Sequence, residues 1–394
     1  MAYLGNNFDA REKNKEKFYK KRWFKIFVVV VVILLLGGGI FAWKTGSILN
    51  RISKGGLLQS LVKNIPGVSN ELKGEKEGRI NVLLLGMRGE NIPGGGLLAD
   101  TIIVASINSK ENKASMISIP RDLYVNNPAW GNKTKINAVY AAGEENGKKQ
   151  GLEEMKKVAQ EVTGLPIHYA ASINFAGFKQ LIDAIGGIEI TLEKPFEESL
   201  QFNEPHVCDS RVFTVPTGKF EIKKRNGRIT AQYPLCTNPN KECGGNFKLP
   251  AGKQTLNGDQ ALCYVRSRVT SSDFERAKRQ QIVIQLVKDK MLSVGTLTDF
   301  SKVNAMLNAL GDNVRMDMQL WEMQKGYELY KTASNLQIYQ RVLENSEEGL
   351  LYNPTDMPKE VGYILLPIGG NYDRIHEMAK NIFTLPAQSD IKPK

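Results

Sequence analysis

The stretch IHYAASINFAGFKQLIDAIGGIEITL, Ile167 to Leu192, decides the fold class. Its first part, Ile167 to Ile173, reads as a strand. Phe175 to Ile185 (FAGFKQLIDAI) carries apolar residues at helical spacing. Gly186 and Gly187 close that helix, since glycine accepts the left-handed backbone on which helices commonly end. IEITL then alternates apolar and polar residues, so a second strand is predicted. A strand, a helix and a strand within 26 residues predict an α/β or α+β domain built on one central sheet. Upstream, Ile80 to Leu85 (INVLLL) is a continuous apolar run, the mark of a buried strand. A Gly-rich loop follows, Gly86 to Gly96. It lacks both the Walker Lys-Ser/Thr ending and the G-x-G-x-x-G spacing, so it is not read as a nucleotide loop. Asp100-Thr101 leads into IIVASI, the polar turn NSKENK and ASMISI, which together predict a hairpin. Gly151 to Val162 has helical spacing. Downstream, Cys208 to Asn246 is a Gly-, Pro- and Asn-rich excursion. Ala261 to Arg268 is predicted as a strand and Phe274 to Met291 as a helix. Helices over Phe300 to Leu310 and Leu320 to Lys331 and a closing strand, YILLP, complete the pattern.

The 394 residues are 42% hydrophobic and 24% charged, a composition that folds and excludes a disordered chain. The net charge of +12 calls for a partner of negative charge. Between Met1 and Lys25 lie eight basic and three acidic residues. The uncharged run IFVVVVVILLLGGGIFAW, Ile26 to Trp43, follows directly, and Trp23 and Phe24 extend it. About 20 apolar residues suffice for a helix to cross the hydrocarbon core. Cations crowd only its N-terminal side, which predicts a cytoplasmic N-terminus and an extracytoplasmic remainder. No small-x-small cleavage site follows, so the run is expected to stay as an anchor. The expected organisation is a basic tail (1–22), a transmembrane segment (23–43), a stalk (44–78), a folded domain in the extracytoplasmic space (79–384) and a short tail (385–394). That topology sets the domain apart from nucleic acid, so no nucleic-acid partner is expected. Cys236 and Cys243 bracket the turn-rich TNPNKE, Cys208 could pair with either, and Cys263 reads as a buried thiol in ALCYV. The cysteine spacing and only three histidines make a Cys/His metal site improbable.

The stretch most informative for function is LCYVRSRVTSSDFERAKRQQIVIQL, Leu262 to Leu286. In a strand, Arg266 and Arg268 share one face. Asp273 is expected to cap the next helix, and Arg276, Arg279 and Gln280 fall on its first turns at i, i+3 and i+4. A helix start attracts anions, and arginine grips phosphate oxygens two at a time. A solvated basic face is the plainer alternative for such a helix alone. The neighbouring strand feeds the same corner and tips the balance toward an anion site. SIPRD ends a strand, so Arg121 and Asp122 should emerge at the sheet's edge, where ligands collect in α/β folds. Lys135 in KINAVY adds another cation, and Asp100 a carboxylate that could hold Mg²⁺ against phosphate oxygens.

Together, NVLLLG (Asn81–Gly86), DTII from Asp100, SIPRDLYV (Ser118–Val125), KINAVY, INFAGFKQLIDAIGGIEI and the arginine-rich segment Arg266 to Gln281 resemble the LytR–CpsA–Psr (LCP) family of bacterial envelopes. The resemblance runs from about Arg79 to about Ile382. It implies the α/β form, with a mixed central sheet flanked by helices, and an enzyme that transfers a glycopolymer phosphate from a polyprenyl-pyrophosphate carrier to peptidoglycan at the cell membrane. The implied pyrophosphate contacts are Arg121, Lys135, Arg266, Arg268, Arg276, Arg279 and Gln280. Arg121, Asp122 and Asp273 are the implied catalytic residues, and Mg²⁺ the implied cofactor. One departure stands out. The family's G-x-D-x-R is here Gly86-Met87-Arg88-Gly89-Glu90, so Arg88 replaces the first acid and Glu90 is its possible substitute beside Asp100. A protein that only holds or hands over polyprenyl phosphates is the second reading, and that missing acid is its support.

Overall fold

Strand β1 (Ile80–Gly89) runs through the middle of the main sheet because INVLLL can be buried along its length. In the computed structural model the described residues are 71–386, except 91–95, 203–205, 209–214, 226, 238–244, 268–271, 294–299, 333–335, 346–348 and 357–361. They belong to the compact unit Leu49–Lys394. β1 is followed by β2 (Gly96–Asn108), β3 (Lys113–Ser118), β4 (Tyr124–Asn127) and β5 (Asn132–Lys135). Helices α1 (Ala138–Glu144) and α2 (Gly151–Thr163) lead to β6 (Tyr169–Asn174), α3 (Phe175–Ala184) and β7 (Ile188–Leu192). An excursion of short strands comes next: β8 (Phe196–Phe202), β9 (His206–Val207), β10 (Val215–Arg225), β11 (Arg228–Thr237), β12 (Gly245–Leu249) and β13 (Gly252–Leu256). The chain returns through α4 (Gly258–Arg266), α5 (Asp273–Ser293), α6 (Phe300–Leu310), β14 (Val314–Met316) and α7 (Leu320–Thr332). It ends with β15 (Gln337–Val342), β16 (Leu351–Tyr352), β17 (Leu366–Pro367) and α8 (Asp373–Lys380).

The main sheet has the order β14-β6-β1-β2-β3-β15. β1 pairs parallel with β6 and β3 parallel with β15, while the remaining pairs are antiparallel. The expected mixed sheet with flanking helices is therefore present. Side-chain alternation sends Leu83, Leu85 and Met87 into one core, against Val139 and Tyr140 of α1, Val158 and Val162 of α2 and Ile375 of α8. A second core joins α3, β7, α4 and α5 through Ile182, Ile188, Leu262, Tyr264 and Val283. Asn174 caps α3 by accepting from the Gly177 amide at 2.8 Å.

Four local expectations need correction. Ala261 to Arg266, predicted as part of a strand, is helical in α4. Asn257 and Gln260 form a capping box at its start, and this reciprocal cap outweighs the strand-like run ALCYV. Helix α5 is capped not by Asp273 but by Ser272, whose Oγ accepts from the Glu275 amide at 3.1 Å. Of YILLP, only Leu366 and Pro367 form a strand, because Leu366 pairs with Tyr352 while Leu365 makes an isolated bridge to Leu123. Cys208 pairs with Cys236, and Cys263 is disulfide-bonded rather than a thiol. The predicted anchor (23–43), basic tail (1–22), most of the stalk, Cys243, Arg268 and residues 387–394 lie outside the described residues. Among the described residues no helix is long and apolar enough to cross a membrane.

Candidate functional site

The parallel pair β1 and β6 ends at one edge of the sheet, and the chemistry gathers there. Thr101 of β2 lies opposite Gly86, which places Asp100 beside the end of β1. β3 runs antiparallel to β2 and delivers Arg121 to the same edge. Arg121 Nη1 donates to Asp100 Oδ1 at 2.8 Å. Its Nε lies 3.4 Å from Asp122 Oδ2 and 3.8 Å from Asp273 Oδ2. The hairpin of β4 and β5 carries Lys135 back, with Nζ 2.9 Å from Asp122 Oδ1. Backbone bonds from Ile136 to Leu123 and from Asn137 to Arg121 hold KINAVY alongside SIPRD. On the first turn of α5, Arg276 Nη1 stands 3.4 Å from Asp273 Oδ1.

The electrostatics follow from this crowding. Burial works to lower the Arg121 pKa, but Asp100, Asp122 and Asp273 overcome it and leave the pKa above the ordinary arginine value. Arg88 is buried at 6% exposure, just past a register shift between Gly86 and Met87. Burial brings its pKa down to about 10, with the charge of Asp100 acting in the opposite direction.

The charged cleft, lined by Asp100, Thr101, Arg121, Asp273, Arg276 and Gln280, adjoins a second space of different character. That space is an apolar cavity of about 350 Å³ between the sheet and helices α3 to α6. Leu84, Gly86 and Ile103 face it from the sheet, and Phe178, Val283, Val287 and Met306 from the helices. Thr101 and Gln280 line both spaces and form their common wall. Arg266 stacks its guanidinium 4.9 Å from the ring centre of Phe175, itself a wall of the apolar cavity.

Not every anticipated residue joins this cluster. Arg279 donates from Nε to the Tyr264 carbonyl at 3.2 Å and from Nη2 to the Ser267 carbonyl. It is buried against Phe196 and Tyr264 and ties the end of α4 to α5. Gln280 Nε2 donates to the Val265 carbonyl at 3.4 Å while lining the common wall. Glu90 is exposed and lines a separate polar cavity of about 630 Å³ with Tyr140, Glu144, Asn174 and Arg315. Sequence reasoning missed three contributors. Phe175 supplies the platform under Arg266. Gln281 donates to Ser118 Oγ at 2.7 Å and to the Arg341 carbonyl at 3.0 Å, fixing α5 on β3 and β15. The Tyr363 phenol feels Asp122 and Asp273; burial first, and then these charges, raise its pKa. No local pattern around Tyr363 marks it, because a long connection brings it to the cluster.

Among the described residues no group of three or more His, Cys, Asp or Glu forms a metal cage. Mg²⁺ needs less than that where a substrate brings phosphate oxygens, since one or two carboxylates then suffice. Asp100, at the cleft wall, fits this smaller demand as a single carboxylate.

A charged cleft that shares a wall with an apolar cavity thus sits at one edge of the sheet in this α/β domain. The chain belongs to the LytR_cpsA_psr family, which matches residues 56–356. Over 237 residues it is 28% identical to the polyisoprenyl-teichoic acid–peptidoglycan teichoic acid transferase TagU of Enterococcus faecalis, with 60% of each chain covered. The match thus spans three fifths of that relative's length. TagU of Oceanobacillus iheyensis is 30% identical over 268 residues, covering 68% of this chain and 67% of the relative. A solved Enterococcus faecalis chain described as a transcriptional regulator shares the fold, with a TM-score of 0.53 and 24% identity over 81% of this chain and 93% of that one.

Proposed function

We propose that this protein transfers a glycopolymer phosphate from a polyprenyl-pyrophosphate carrier to peptidoglycan, as the names of its relatives say of them. The observation that carries this reading is that Arg121 and Arg276 line a cleft whose wall is also the wall of an apolar cavity, with Lys135 paired to the neighbouring Asp122 and Arg88 close enough to feel Asp100. The pyrophosphate lies among the guanidinium groups and the isoprenoid tail runs past Thr101 and Gln280 into the cavity. Phosphoryl transfer asks mainly for positioning and charge stabilisation. The leaving prenyl phosphate gains negative charge, so fixed cations stabilise the transition state more than the ground state. Asp122 or Asp273, both beside Arg121, takes the proton of the acceptor hydroxyl. Asp100 would hold Mg²⁺ when the ion is bound, and the ion would neutralise part of the charge of the substrate's phosphates. The cell-membrane location, the single pass at 23–43 and an extracytoplasmic domain belong to the same proposal. They are supported by the apolar run and its flanking cations.

The test is transfer of labelled glycan from synthetic carrier to peptidoglycan by the full chain. Arg121→Ala and Arg268→Ala are expected to abolish turnover while thermal unfolding stays cooperative. Unchanged turnover in both overturns the proposal. A second reading, a protein that holds and hands over prenyl phosphates, draws on Arg88 standing where an acid would be expected. It predicts carrier that copurifies with the chain and no turnover with any added metal.

A further inference from the structure

The hairpin of β10 and β11 takes no part in the site described above. It pairs from Val215–Thr237 at its base to Arg225–Arg228 at its tip, and its base is fastened by the Cys208–Cys236 disulfide. Among the described residues its one closely packed neighbour is the two-residue strand β9. From Phe220 to Thr230 the described residues are exposed on both faces. A two-stranded ribbon bare on both sides has little of its own to hold it in water, and such a ribbon ordinarily carries polar side chains.

This one does not. Of the ten large apolar side chains exposed among the described residues, four lie on this hairpin, Phe220, Ile222, Ile229 and Tyr233, and a fifth, Val207, on its neighbour β9. Phe220 and Ile222 alternate onto one face with Lys224, and the register shift past Lys223 sets Ile229 opposite Lys224 on that face. Phe220 is 54% exposed, Ile222 48% and Ile229 53%. Around them stand Lys219, Lys223, Lys224, Arg225 and Arg228 against one acid, Glu221. Apolar side chains ringed by cations along an exposed hairpin suit one kind of surface, anionic headgroups over hydrocarbon. A polyanionic polymer answers the cations but offers Phe220, Ile222 and Ile229 nothing apolar to enter.

We propose that the β10–β11 hairpin is a membrane-docking arm. Its apolar face enters the interfacial layer of an anionic bilayer and its lysines and arginines lie among the lipid phosphates. This is independent of the transfer reaction and fails or stands without it. The arm gives the domain a contact with the bilayer additional to any anchor, and so restricts its orientation.

The test uses the full chain reconstituted into vesicles of phosphatidylcholine alone or mixed with phosphatidylglycerol, each with or without brominated acyl chains. Phe220→Trp places an indole on the apolar face, and its emission is read as the difference from the parent chain. Quenching by bromine of about two-fold in the anionic vesicles, weakening as salt is raised, is expected. Ile229→Trp reads the same from the other strand. Charge reversal by K224E/R225E/R228E should remove the quenching while leaving the unfolding temperature unchanged. Difference emission indifferent to bromine in both indole variants overturns the proposal. So does a spectral shift produced only by soluble wall polymer or by an acidic protein.

Discussion

At the scale of single residues, the three carboxylates around Arg121 do two jobs. They keep the guanidinium charged despite its burial, and they hold it aimed at the cleft. At Arg88 burial outweighs the charge of Asp100, and with a pKa of about 10 it loses its proton as the solution turns alkaline. The sign follows directly. Below that pH Arg88 is charged and attracts phosphate, and above it the attraction is gone. Inorganic pyrophosphate should therefore bind less tightly as the pH rises through about 10, in a step that Arg88→Met removes. Calorimetric titration of both forms across that range checks it. Arg276 and Arg279 make a second contrast. Arg276→Ala should weaken pyrophosphate binding about ten-fold or more and leave the melting temperature nearly unchanged. Arg279→Ala should do the opposite, costing about 2 kcal/mol of stability because two carbonyls at the end of α4 lose a charged donor. Chemical denaturation of both variants separates the two roles. The sequence could not separate them, because residues three apart share a helical face. Which of the two reaches the cleft depends on where α4 ends, a tertiary fact.

The elements show the same limit from the other side. The β2–β3 hairpin, α3 and β7 were legible because each carries a turn or a periodicity that excludes the alternative, and β1 as an apolar run that ends at a Gly-rich loop. ALCYV was not, since five apolar residues suit a strand or a buried helix equally. The deciding signal lay outside the run, in Asn257 and Gln260, where the helix begins. Asn257→Ala should remove that cap at a cost of about 1 kcal/mol, seen as a fall of about 2–4 °C in melting temperature, with pyrophosphate affinity retained. A larger loss of affinity than of stability would mean that α4 positions Arg266 more tightly than its packing on Phe175 suggests. The arginines of the cleft were legible as a group because strand ends and helix starts in α/β folds meet at one edge. Phe175, Gln281 and Tyr363 were not, because each reaches its place through contacts with segments far away in the chain.

Over the whole molecule, the charged cleft and the apolar cavity are separate compartments that meet along Thr101 and Gln280. A ligand with both head and tail should respond to each separately. Val287→Trp narrows the cavity from α5 without touching the cleft. It should weaken a long polyprenyl pyrophosphate about ten-fold or more while inorganic pyrophosphate binds as before. Equal losses for the two ligands, measured by competition, would place the tail elsewhere. On the proposed function, the partition also has a consequence for the carrier. A molecule seated from its charged end is registered like cloth against a ruler's zero mark. Whatever length lies beyond, the bond to be broken stays at the same graduation, and surplus isoprene units trail off at the far end without disturbing it.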